Sequence, residues 1–183
     1  GQTWNVSGNY TNTTLQPGSY FIPMEGCKSF SLKDSTTAVF EFNPNFNTST
    51  VTNMYRVFYQ CRNFNAPVNH FDMSNCTDSR LMFFNCRAFN STVTNMKVGP
   101  SNCYALFENC IAFNQPLSGV DFSLANDAQR LFYNCVKFNQ PISHLDFSGT
   151  VRTKAMKYAW YNCRVFNQDI TEVTWGAGPR FQY

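Results

Sequence analysis

Phe107-Glu-Asn-Cys110-Ile-Ala-Phe113-Asn114-Gln-Pro116-Leu117 is one copy of a motif that the chain repeats. The same frame reads Phe58-Tyr-Gln-Cys61-Arg-Asn-Phe64-Asn65, then Phe83-Phe-Asn-Cys86-Arg-Ala-Phe89-Asn90. It returns as Phe132-Tyr-Asn-Cys135-Val-Lys-Phe138-Asn139 and as Trp160-Tyr-Asn-Cys163-Arg-Val-Phe166-Asn167. The cysteines are 25, 24, 25 and 28 residues apart. A degenerate copy with Asn43 in the cysteine place covers Phe40–Asn47. A fixed period of this length marks a repeat architecture in which no unit buries its apolar face alone. Stacked units turn each apolar position into a column, and the columns form the core. Phe64, Phe89, Phe113, Phe138 and Phe166 make one such column, and Phe58, Phe83, Phe107, Phe132 and Trp160 a second. Aromatic columns bury much area per residue, which helps a coil of about 25 residues hold together.

A second block lies between the anchors. Asn-Gln-Pro116-Leu117 and Asn-Gln-Pro141-Ile142 precede Val120-Asp121-Phe122-Ser123 and Leu145-Asp146-Phe147-Ser148, and Phe71-Asp72-Met73-Ser74 matches them. Ser74, Ser123 and Ser148 stand where an N-cap would open a short helix. The apolar spacing of three to four up to the next cysteine suits that helix. The Phe-Asn-Gln-Pro stretch is long enough only for a short strand or turn. The fold expected is therefore an α/β repeat solenoid, leucine-rich-repeat-like, of about five to six coils with a short helix and a short strand in each. The string Ser-Thr-Val-Thr-Asn-Met occurs at 49–54 and again at 91–96, shifted against the Phe-Asn anchor. The third coil, with Gly99-Pro100, is thus the irregular one. The expected division is a 1–39 cap or docking segment, the repeats at 40–170, and a 171–183 cap or tail. Pro17-Gly18 between two strand-like runs predicts a β-hairpin-like N-terminal cap.

The frame Phe-x-x-Cys-x-x-Phe-Asn-Gln-Pro-Leu, with apolar-Asp-x-Ser and Val-Thr-Asn-Met, resembles the BspA-type leucine-rich repeat surface proteins. The similarity is to their branch named for a mycoplasma domain of unknown function, over roughly residues 40–170. Where such proteins carry Trp before Asp, this chain has Phe71, Val120 or Leu145, one core filler for another. The resemblance implies a non-enzymatic, surface-exposed protein of adhesion or recognition. Proteins of this group occur on bacterial surfaces, in parasitic protists, and in phages and large viruses. The partners implied are a protein or glycan on a cell surface, or neighbouring virion proteins. Localisation follows as extracellular, at the cell surface, or in a virion. The alternative function is a structural one, as capsid decoration or a fibre component.

Composition narrows the classes. The net charge is +3, with no run of Lys or Arg, so a nucleic-acid footprint is not expected. No stretch of 18 apolar residues exists to span a bilayer. The start at Gly1, without a leader-like segment, suits a mature product or a piece of a longer protein, and the piece is the expectation. The eight cysteines include no Cys-x-x-Cys, and the repeat cysteines lie a whole coil apart, so no zinc site and no cofactor is expected. They read as buried apolar fillers. Cys76 and Cys103 both follow Ser-Asn on neighbouring coils and are candidates for a disulfide. The Asn column (Asn65, Asn90, Asn114, Asn139 and Asn167) reads as an internal ladder satisfying backbone groups. Asp72, Asp121 and Asp146 read as turn-forming carboxylates rather than calcium ligands. His70 and His144 lie three coils apart, too far to share a metal or a proton.

The ligand-binding candidates are Tyr59, Phe84, Tyr133 and Tyr161, which with Glu108 stand two residues before each cysteine. The preceding residue already serves the core, so this column is expected to face outward and recognise a protein or sugar. Six N-glycosylation acceptor patterns occur, three of them clustered at Asn5, Asn9 and Asn12.

Overall fold

The computed structural model describes residues 2–3, 19–22, 39–42, 48–94, 96–99, 102–150 and 155–177, the first three segments as backbone only. The strands are short: β1 (Gln2–Thr3), β2 (Ser19–Ile22), β3 (Val39–Phe42), β4 (Asp72–Met73), β5 (Lys97–Val98), β6 (Asp146–Phe147) and β7 (Thr174–Trp175). Every pairing is parallel, and those from Asn53 onward join positions one repeat apart. Asp72 faces Lys97, Lys97 faces Asp121, and Asp146 faces Thr174. A second ladder runs Asn53, Asp78, Asn102, Asp127. β2 pairs in parallel with both β1 and β3, so these strands do not form the expected hairpin. An antiparallel return needs only a tight turn, whereas 15 residues separate β1 from β2.

No helix occurs among the described residues, against the expectation of one per coil. The stretch before each cysteine is instead a chain of overlapping turns. In the Cys110 coil, Leu106, Glu108 and Cys110 donate N–H groups to carbonyls three residues back. The alternate N–H groups of Ala105, Phe107 and Asn109 donate to Gln129, Leu131 and Tyr133 of the next coil. The apolar spacing of three to four fits this arrangement as well as a helix. An α-helix would spend every interior N–H within its own coil. Here half of them tie coil to coil, and all are satisfied. The turns demand left-handed backbone. φ lies between 55° and 63° at Arg56 and Gln60, and at the matching residues of every later coil up to Tyr158 and Asn162. A positive φ at the third residue is that of a type II turn, which favours Gly or Asn. Asn85, Asn109, Asn134 and Asn162 meet that demand directly before their cysteines.

The expected strand at Phe-Asn-Gln-Pro does not form: the stretch lies outside every β-strand and β-bridge of the described residues. Nor do Ser74, Ser123 and Ser148 cap helices. Their N–H groups donate to the carboxylates of Asp72, Asp121 and Asp146 at 3.0, 2.8 and 2.7 Å, closing Asx turns at the corners.

The two aromatic columns interleave into one stack. Phe58, Phe83, Phe107 and Phe132 follow one another at 5.3–5.4 Å between ring centroids. Phe64, Phe89, Phe113, Phe138 and Phe166 follow at 5.5–5.9 Å. Within the first four coils the two rings lie 4.1–5.0 Å apart, and in the last coil Trp160 and Phe166 lie 6.1 Å apart. These are offset-stacking distances. A third column, Met73, Val98, Phe122, Phe147, lines the β4–β7 side and is fully or nearly buried.

The repeated Ser-Thr-Val-Thr-Asn-Met string takes two different places. At its first copy, Met54 N–H donates to Asp78, leading into the turn run. At its second copy, Thr92 accepts from Val68 in the Pro-loop region. The shift brings Lys97 into the Asp column, where its ammonium lies 3.7 Å from the Asp72 carboxylate. At the next corner down, coils approach so closely that only glycine fits. A Cβ on Gly149 would lie 2.5 Å from the Ser123 carbonyl oxygen and 2.9 Å from that of Ala125. Gly149→Ala is expected to cost about 1–3 kcal/mol, since a packed backbone cannot yield. A thermal melt unchanged by the substitution would contradict this close approach.

Candidate functional site

The turn run that builds the core also builds a face. Because Phe107 and its equivalents point inward, the next residue stands on the outer side of the coil. Tyr59, Phe84 and Tyr133 are half-buried there, and Tyr161 is 46% exposed. Tyr59 stacks on Phe84 at 4.9 Å, and Tyr133 on Tyr161 at 4.9 Å. The column is broken between them. Glu108, in the middle coil, is buried and pairs with Arg130 at 2.9 Å. Burial pushes the Glu108 carboxyl up, against the pull of the Arg130 guanidinium.

Two aromatic–cation clusters result. At one end, the Arg56 guanidinium lies 4.6 Å from the Tyr59 ring centre and 5.0 Å from that of Tyr55. Arg80 lies 5.1 Å from the same Tyr55 ring and is fixed by Asp78 at 2.6 Å. At the other end, Arg130 lies 4.1 Å over Tyr133, Lys157 lies 4.7 Å over Tyr158, and Tyr158 meets Tyr161 edge-on at 5.7 Å. Arg130, Tyr133, Tyr158 and Tyr161 line an open cleft of about 310 Å³. Spacing from the cysteines picks out the tyrosines but not their cations. The signal was present as Arg56-x-x-Tyr59 and Arg130-x-x-Tyr133, each arginine five residues before a cysteine.

The Asn column does form a ladder, but at the surface rather than inside. Asn65 Oδ1 accepts from the Asn90 N–H at 2.7 Å, and the pattern repeats through Asn114, Asn139 and Asn167 at 2.8–3.0 Å. On the tyrosine side, Asn134 donates to Asn109 at 2.8 Å and Asn162 donates to Asn134.

Cys76 and Cys103 are separate buried thiols rather than a bridge. Each has a local role: Cys76 Sγ donates to the Asp78 carbonyl at 3.3 Å, and the Ser79 hydroxyl donates to Cys103 Sγ at 3.6 Å. The repeat cysteines do more than fill space. Cys86, Cys110, Cys135 and Cys163 donate to the Phe58, Phe83, Phe107 and Phe132 carbonyls of the preceding coil at 3.0–3.1 Å. Burial pushes the first three thiols well above their ordinary value and Cys163 up to about 12.

His144 contacts the Leu117 carbonyl at 3.3 Å, and His70 packs edge-on to Phe71 at 5.0 Å. Among the described residues, no His, Cys, Asp or Glu cluster is placed to hold a metal ion. Asn5, Asn9 and Asn12 lie outside the described residues.

One family model matches the chain twice, over residues 34–103 and 100–175, and its description is Mycoplasma protein of unknown function, DUF285. No curated protein and no solved structure matches.

Proposed function

The chain belongs to this mycoplasma family of unknown function, and we propose that within it the chain is a BspA-like, non-enzymatic recognition module whose coils stack as a solenoid at an exposed surface. The observation that carries this reading is the outward aromatic column. Tyr59, Phe84, Tyr133 and Tyr161 form two stacked pairs, each with a guanidinium held over one of its rings. Rigid aromatics beside arginine are the side chains most enriched where binding energy concentrates. The backbone beneath them is tied coil to coil, so the face is pre-organised and loses little entropy on binding. Raised thiol pKa values support a non-catalytic reading, because the thiolate is the nucleophile.

The test is binding of the labelled protein to a panel of animal, protist and bacterial cells. It is run beside a variant carrying Tyr59→Ala, Phe84→Ala, Tyr133→Ala and Tyr161→Ala. Surface binding that the variant loses by about tenfold or more is the expected result. No binding to any cell, with the protein instead found packed in symmetric copies on particles, would replace this reading with a structural role in a virion. Binding indifferent to all four substitutions would remove the column from the function.

A further inference from the structure

We infer that the cleft between the Cys135 and Cys163 coils binds a carboxylate-bearing pyranose, an assignment that rests on the surface-recognition reading above. The cleft is about 310 Å³ and is lined by Arg130, Tyr133, Tyr158 and Tyr161. That volume is at the low end for small-ligand sites and suits one sugar ring or two. Its walls differ in chemistry. Tyr161 is 46% exposed and is fixed from two sides, stacked on Tyr133 at 4.9 Å and met edge-on by Tyr158 at 5.7 Å. Ring faces carry partial negative charge and take the polarised C–H bonds of a sugar face. A rigid tyrosine supplies that contact at low entropic cost.

The cations select the charge. Arg130 gives Glu108 an Nη2 contact at 2.9 Å, yet its side chain stays 33% exposed, with Nε buried and the outer end of the guanidinium left to face the cleft. One carboxylate therefore does not exhaust the guanidinium, whose planar fork suits a second. Lys157 adds an ammonium 4.7 Å from the Tyr158 ring. Glu108 pairs with Arg130, and its side chain is only 7% exposed, so it does not present its charge to the cleft. Cations over rings beside a shielded acid favour an anionic sugar over a neutral one. The corresponding end of the face differs. There Arg80 is held by Asp78 through both Nε and Nη2, at 2.9 and 2.6 Å.

The purified protein would be titrated with sialyllactose, a glucuronic-acid disaccharide and lactose, read by calorimetry and ligand-observed NMR. Both acidic sugars are expected to bind saturably, about tenfold more tightly than lactose, as one charge-assisted contact provides. Tyr161→Ala is expected to abolish binding of all three. Lys157→Gln, at a half-exposed position that spares Glu108, is expected to narrow the preference for acid. Leu124→Ala, at an exposed position outside the aromatic column, should leave every titration unchanged. Equal binding of the acidic and neutral sugars overturns the assignment, as does binding that survives Tyr161→Ala. If none of the sugars binds while cell binding persists and falls with Tyr161→Ala, the sugar class is overturned and surface recognition stands. If cell binding is also absent, both fall.

Discussion

Phe107→Ala is expected to destabilise the protein by about 3–5 kcal/mol, the usual cost of emptying an aromatic site that cannot collapse. Phe107 is completely buried and has a ring on every side. Phe83 and Phe132 lie 5.3 and 5.4 Å above and below, and Phe113 lies 5.0 Å away in its own coil. Its backbone is committed as well. The N–H donates to Leu131, and the carbonyl accepts both Cys110 N–H and Cys135 Sγ–H at 3.1 Å. The neighbouring coils therefore cannot close the gap without breaking the ladder. For a chain of this size the loss corresponds to a fall in Tm of about 6–20 °C. In a stack held by nearest neighbours, a fault in the middle also uncouples the two halves. A broadened or two-step melt is expected alongside the lower Tm. Phe166→Ala supplies the comparison. It sits in the last cysteine coil, is only partly buried, and stacks on Phe138 from one side at 5.9 Å. Its loss is expected to cost less than half as much. Equal costs at the two positions would mean that the column is not the element holding the coils together.

The Phe columns were legible because a buried column needs the same large side chain at the same phase in each coil, and spacing alone reveals that. The backbone between them was not legible, for a physical reason. Apolar residues three or four apart serve a helix and a run of overlapping turns equally well. The discriminating mark was Asn directly before the cysteine in four coils, since Asn tolerates the left-handed backbone that a helix interior never uses. Propensity would not have located the other left-handed column. It holds Arg56, Leu81, Ala105, Arg130 and Tyr158, none favoured there. Each such residue costs about 1–2 kcal/mol, and the inter-coil bonds on its own N–H offset that strain in the first four. The Ser-Thr-Val-Thr-Asn-Met string makes the same point at the level of register. One sequence occupies two places in the coil, so position is assigned by the neighbouring coil and not by the string itself. Of the candidate site, the tyrosines were visible as a column. The break at Glu108 was not, because its burial depends on Arg130 in the next coil, a contact between residues 22 positions apart.

Alkaline pH is expected to unfold the protein steeply, through the thiols. Five described cysteines have pKa values raised by burial from an ordinary 9.0: Cys76 to about 11, Cys163 to about 12, and Cys86, Cys110 and Cys135 well above 9.0. The sign follows from which state keeps the proton. Below pH 9.0 both folded and unfolded chains hold it, and stability does not change on this account. Above that point the unfolded chain releases its protons while the folded chain retains them, so stability falls until the folded pKa is reached. Each thiol costs about 1.4 kcal/mol per pH unit in this window, so five together cost about 7 kcal/mol per pH unit. Against a typical stability of about 5–15 kcal/mol, the midpoint should fall at about pH 10–11. Circular dichroism across pH 7–12 measures it, with iodoacetamide labelling expected to stay low until the same transition. The variant Cys86→Ser, Cys110→Ser, Cys135→Ser isolates the cause. A hydroxyl can still donate to the Phe58, Phe83 and Phe107 carbonyls that these thiols now reach, but it does not titrate. Its steepness should drop to about 3 kcal/mol per pH unit, the share of the two remaining thiols. An alkaline transition equally steep in both proteins would show that the buried thiols do not set it.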